Sequence, residues 1–178
     1  MSKSIFLSLP LFFIATCAFA QDENPGKKKL AEIDFLVGQW NVSVDARLSA
    51  QGPWESSAGI SQISRTVGST VLEEDFSGTR EGRPFSAKSL LAVNNQTLRY
   101  QRVFVDSEHG LLVDFDGEKR ADTLVFDKTW ILVSGASVQL RVVYRFISRD
   151  EVTVENMRKS GQDSLWDVTG RMKYSRAK

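Results

Sequence analysis

The 178-residue chain has 23 Lys and Arg against 22 Asp and Glu, a formal charge of +1, with 42% hydrophobic residues, one cysteine and one histidine. That length suits one domain with a sizeable core. The interspersed, nearly balanced charges exclude the concentrated basic surface that nucleic acid demands, and a single His and Cys exclude HExxH sites, thiolate clusters and ordinary transition-metal sets.

The first 20 residues read as a secretory signal peptide. They hold one charge at Lys3, an apolar run over 5–15 interrupted by Pro10, and Ala18-Phe19-Ala20 ahead of polar Gln21-Asp22-Glu23-Asn24. Cleavage after Ala20 removes Lys3 and Cys17 and leaves 158 residues with 22 charges of each sign and no thiol. Cys17 as a lipoprotein cysteine is the alternative, against which stands Thr16 where a small Ala or Gly is usual. No later segment approaches the roughly 18 apolar residues of a membrane span. The sequence therefore predicts a soluble periplasmic or secreted protein, with a linker over 21–27 holding Pro25-Gly26 and the start of Lys27-Lys28-Lys29, and one domain over 28–178.

From Lys28, the apolar residues Leu30, Ile33 and Val37 fall at helical spacing and predict one short amphipathic helix ended by Gly38. After Gly38 the period becomes two: Trp40, Val42, Val44, Ala46 and Leu48 alternate with polar residues, the pattern of a strand with one dry face. Further strands are expected over 54–67, 70–76, 85–93, 97–106, 110–115, 119–126, 130–133, 137–147, 152–158 and 164–174. Turn signals separate them, among them Asn94-Asn95, Asp116-Gly117, Ser134-Gly135 and Gly161-Gln162-Asp163. The fold class is all-β: an antiparallel up-and-down barrel of about eight to ten strands with a short N-terminal helix, closed because an open sheet of that size would leave two edges unpaired.

A short helix, Gly38-Gln39-Trp40 and a meander ending at Tyr174-Ser175-Arg176 resembles the calycin superfamily, the lipocalin-like barrels. The fuller pattern is similar to a family of exported bacterial lipocalin-like domains of unknown function. It is matched by Phe35-Leu36-Val37-Gly38-Gln39-Trp40, Val71-Leu72-Glu73-Glu74-Asp75-Phe76-Ser77-Gly78, Leu91-Ala92-Val93-Asn94-Asn95 and Tyr100 through Val105-Asp106-Ser107, with Val93 where a Tyr is usual. The resemblance implies that Trp40 closes the barrel floor under an arginine from the last strand, Arg176 or Arg171. It implies a fold and no established activity.

Strand parity nominates the interior residues. Leu72 and Phe76 inward place Glu74 inward; Leu98 and Phe104 inward place Tyr100 and Arg102 there; Tyr144 and Trp166 follow on late strands. A lumenal Arg102 beside the Tyr100 hydroxyl suits an anionic head group, while a Glu74–Arg102 ion pair, or a register in which both face solvent, is the plainer reading. His109, between Glu108 and Gly110, reads as a surface-loop residue, unlike the strand histidine of haem-binding barrels. No cofactor and no metal site are expected, and Asp114-Phe115-Asp116-Gly117 reads as a hairpin turn because an EF-hand loop would need Glu at Val125. Three functions fit: a binder of a small apolar or amphipathic ligand through Glu74, Tyr100, Arg102, Tyr144 and Trp166; an enzyme with Glu74 as acid/base; or an interaction module whose barrel is filled by its own side chains.

Overall fold

The computed structural model describes residues 24–47, 49, 51–80, 82–108, 110, 112–160 and 165–178. The expected signal peptide with Cys17, residues 21–23, Leu48, His109 and the expected turn at 161–163 lie outside the described residues.

Ten strands among the described residues form one closed barrel. They are β1 (Gly38–Ala46), β2 (Glu55–Thr66), β3 (Val71–Arg80), β4 (Arg83–Val93), β5 (Tyr100–Asp106), β6 (Val113–Arg120), β7 (Thr123–Ile131), β8 (Ser137–Phe146), β9 (Glu151–Ser160) and β10 (Asp167–Arg176). Each pairs antiparallel with its sequence neighbours, and β1 closes on β10 with Trp40 opposite Arg176. Period two sorts the residues as expected in β1: Trp40 and Val42 are buried while Gln39, Asn41 and Ser43 are exposed. No helix among the described residues is long and apolar enough to cross a membrane.

The N-terminal plug starts earlier than expected. Asn24 Oδ1 accepts the Lys27 N–H at 3.0 Å and Pro25 occupies the first turn, so α1 (Pro25–Leu30) begins inside the expected linker. A 3-10 segment (Ala31–Leu36) follows, with a break at Ile33 (φ −119°). Tightening the helix aligns Leu30, Ile33 and Leu36, all buried, over one end of the barrel. The Gly26 N–H donates to Asn95 Oδ1 at 3.1 Å, tying the plug to the turn after β4. Gly38 then turns the chain into β1 at φ +137°, where a Cβ would sit 2.6 Å from the Arg176 guanidinium. The turns after β1, β3, β5, β7 and β9 gather at the opposite, open end.

Asp116-Gly117 is not a turn. Both residues lie inside β6, where Gly117 pairs with Phe126 and a Cβ would meet that ring at 2.4 Å. Here glycine makes room for an aromatic ring rather than bending the chain. The chain reverses at Ala121 instead, with φ +49°, and the expected strands over 119–126 and 130–133 resolve into the end of β6 and all of β7. Leu98 likewise leaves its expected inward place: it stands in the turn before β5 at φ +55°, exposed.

Candidate functional site

The interior has two storeys. At the closed end, Trp40 is fully buried; its Nε1–H donates to the Leu36 carbonyl at 2.8 Å, and the Arg176 guanidinium lies 4.2 Å over the indole. Arg176 also donates to the Val37 carbonyl at 3.1 Å, to the Phe35 carbonyl and to Asp150 Oδ1 at 2.8 Å, which locks plug, first strand and last strand together. Arg171, the other arginine considered for this place, stacks at 4.7 Å on Trp54. Tyr100 belongs to this end too. It is fully buried under α1 and its hydroxyl donates to the Lys29 carbonyl at 3.0 Å, so it does not join the expected lumenal group.

Above the floor lies a polar layer. Glu74 Oε1 accepts from the Ser61 hydroxyl at 2.7 Å and the Tyr174 hydroxyl at 2.9 Å, and Oε2 accepts from the Ser89 hydroxyl at 3.0 Å. Cross-strand register sets this up: Glu74 and Ser89 are direct partners on β3 and β4, and Ser61 sits on β2 within reach. Sequence gives no signal for Ser61 and Ser89, since isolated serines in a strand carry none until a carboxylate is placed beside them; Tyr174 stands in the closing motif without a polar role attached. Three hydroxyl donors satisfy a carboxylate that burial would otherwise penalise. A small void of about 30 Å³ lies between this layer and Trp40.

Toward the open end the barrel is hollow. A cavity of about 370 Å³ is walled by Phe76, Phe85, Phe104, Val113, Leu140 and Met172, among others, with Glu74, Ser89 and Tyr174 lining both this cavity and the small void as the partition. Arg102 reaches into it from β5. The residue is 7% exposed, its guanidinium carbon lies 4.9 Å from the Phe104 ring, 5.8 Å from Phe115 and 5.9 Å from Tyr144, and its Nε has no hydrogen-bond partner. The ion pair with Glu74 is not formed; that carboxylate is held by three hydroxyls instead.

Glu74, Arg102 and Tyr144 are thus brought together, and Trp166 is not. Trp166 stacks on Arg141 at 4.5 Å outside the residues walling the cavity. A register shift between Val168 and Gly170 breaks the alternation that placed it inward. Burial pushes the Tyr144 phenol up to about 12, against the opposing pull of the Arg102 charge. Burial, then the Glu74 charge and the bond donated to it, hold Tyr174 well above the ordinary phenol value. Both phenols are therefore neutral at physiological pH, and that of Tyr174 donates to Glu74. Among the described residues no three His, Cys, Asp or Glu side chains gather to hold a metal ion.

Residues 26–176 match a family described as a protein of unknown function, DUF1579. The chain belongs to that family. Its fold is similar to that of Rv2717c from M. tuberculosis at 13% identity and a TM-score of 0.59, covering 84% of this chain and 98% of that one. It is also similar to the S-type phycobiliprotein lyase CPES from Guillardia theta at 12% identity and a TM-score of 0.55, covering 84% of this chain and 92% of that one. Identities this low show a shared barrel fold and nothing of chemistry. No curated protein matches the chain.

Proposed function

We propose that this protein is an exported barrel that binds one small, mainly apolar ligand in its lumen, in the periplasm or outside the cell. The observation behind it is the hollow of about 370 Å³ at the open end, walled largely by aromatic and aliphatic side chains. That volume falls within the range of about 300–1,000 Å³ usual for small-molecule sites. A barrel serving only as a rigid interaction module would fill this space with its own side chains, as the closed end does. The placement of export rests on the sequence over 1–20. Catalysis by Glu74 finds no support in the geometry, since its oxygens are committed to Ser61, Ser89 and Tyr174.

The test uses N-phenyl-1-naphthylamine, a neutral apolar dye that fluoresces when sheltered from water. Saturable binding at one site per chain is expected. Ala87→Phe, which projects a ring from the cavity wall into the hollow, should weaken it at least tenfold with the circular dichroism spectrum unchanged. Absence of saturable binding to the parent protein would overturn the lumenal reading.

A further inference from the structure

We propose that Arg102 is the anchor for the carboxylate of an amphipathic monoanion, whose apolar body extends from Arg102 toward the open end. This rests on the lumenal reading and adds the chemical class of the ligand.

Among the described residues Arg102 is the one buried arginine. Arg65, Arg80, Arg141 and Arg176 each meet a carboxylate, at Asp34, Glu108, Asp127 and Asp150, and each is more exposed than Arg102. Among the described residues Arg102, although 93% buried, meets none, and its Nε–H faces no acceptor. A desolvated cation is stabilised by charge partners and acceptors; the rings of Phe104, Phe115 and Tyr144 offer π-electron density and no lone pair along an N–H bond. What is missing is an in-plane oxygen acceptor, and a carboxylate matches the guanidinium fork with two parallel hydrogen bonds.

The charge of the ligand follows from what else lines the cavity. Of the charged residues along its wall, Arg80, Lys88 and Arg141 pair with Glu108, Glu73 and Asp127, and Arg47, Glu55 and Asp106 stand at strand ends by the open rim. At depth Arg102 supplies one positive charge, and Glu74, satisfied by its three hydroxyls, adds a fixed negative group. A single negative charge is neutralised at Arg102; a second would face Glu74 uncompensated. The shape of the ligand follows from depth. Arg102 lies two residues along β5 from the closed-end Tyr100, so a carboxylate placed there leaves the rest of the molecule pointing past Phe104, Phe76, Phe85 and Leu140 to the open end. An apolar tail suits those walls.

The experiment is displacement of N-phenyl-1-naphthylamine by decanoate, decan-1-ol and decyl phosphate, all below their aggregation limits. Decanoate should compete at least tenfold better than decan-1-ol on the parent protein. Arg102→Leu should lose that tenfold advantage while keeping dye and decan-1-ol affinity, and Arg102→Lys, which keeps charge and loses the fork, should recover part of it. Decyl phosphate should compete more weakly than decanoate at pH 8, where it is doubly charged. If the dye binds and Arg102→Leu leaves decanoate competition unchanged, the anchor is wrong and the lumenal reading survives. If decyl phosphate is the tightest competitor, the monoanion class is wrong. If the dye never binds the parent protein, the lumenal reading itself is lost, which dye titration alone shows before any competitor is added.

Discussion

The two ends of the barrel treat buried polar groups in opposite ways. At the closed end, Trp40, Tyr100 and Arg176 each find a backbone carbonyl of the plug, so the helix is held by the very groups that it covers. Halfway up, the Glu74 carboxylate is equally well supplied with donors, and two strands further round Arg102 is buried with its Nε unpartnered. Satisfied buried polar groups fix one structure, and an unsatisfied one costs stability unless something outside the chain completes it. The closed end has the character of a cap, and the hollow fits the receptor role proposed for it.

The largest expected effect tests the cap. Trp40→Ala removes a fully buried indole, its bond to the Leu36 carbonyl and the surface on which Arg176 stacks. Loss of about 3–5 kcal/mol is expected, by analogy with other large aromatic truncations, out of the 5–15 kcal/mol typical of a domain. Urea unfolding followed by circular dichroism measures it. A midpoint within error of the parent would show that the plug, rather than the indole, seals this end.

How much of this was legible before the structure depends on the kind of signal. The closed barrel, the position of Trp40 and the inward side of Glu74 and Arg102 all follow from strict period-two alternation, which sequence displays directly. Tyr100 obeys the same parity and still missed the cavity, because parity gives a face of the sheet and says nothing of height along the barrel axis. Trp166 missed because a bulge between Val168 and Gly170 resets parity, and a bulge leaves no compositional mark. Asp116-Gly117 reads locally as a turn, and only the ring of Phe126 on the neighbouring strand reveals why glycine stands there. The hydroxyl ring of Ser61, Ser89 and Tyr174 about Glu74 is a product of three separate registers, invisible to any one strand.

An intermediate effect probes both ends together through their tyrosines. Tyr100 under the plug, Tyr144 beside the small void and Tyr174 in the polar layer all have phenols raised above the ordinary value of 10, chiefly by burial, Tyr144 to about 12. A phenol raised in the folded state keeps its proton while the unfolded chain loses it, so stability is complete below about pH 10 and falls as pH rises from there toward 12. The urea midpoint should therefore hold level up to pH 9 and drop beyond 10, with a loss on the order of 1–3 kcal/mol by pH 11. Phenolate absorbance should stay silent until the barrel opens. An ordinary titration near 10 in a folded protein would show that both storeys admit water.

The smallest expected effect separates the ends most sharply. Arg102→Leu removes a charge that the folded chain buries without an acceptor and replaces it with an aliphatic side chain among Phe104, Phe115 and Tyr144. The lost cation–π attraction, about 0.5–2 kcal/mol, opposes the relief of burying an unpaired guanidinium, which is of similar size or larger. The melting temperature should hold or rise, the mark of a residue kept for binding at the expense of stability. Substituting a side chain that builds the fold would lower it instead. A clear drop after Arg102→Leu would move Arg102 into the company of Arg176, as a structural residue, and the contrast between cap and receptor would rest on the cavity alone.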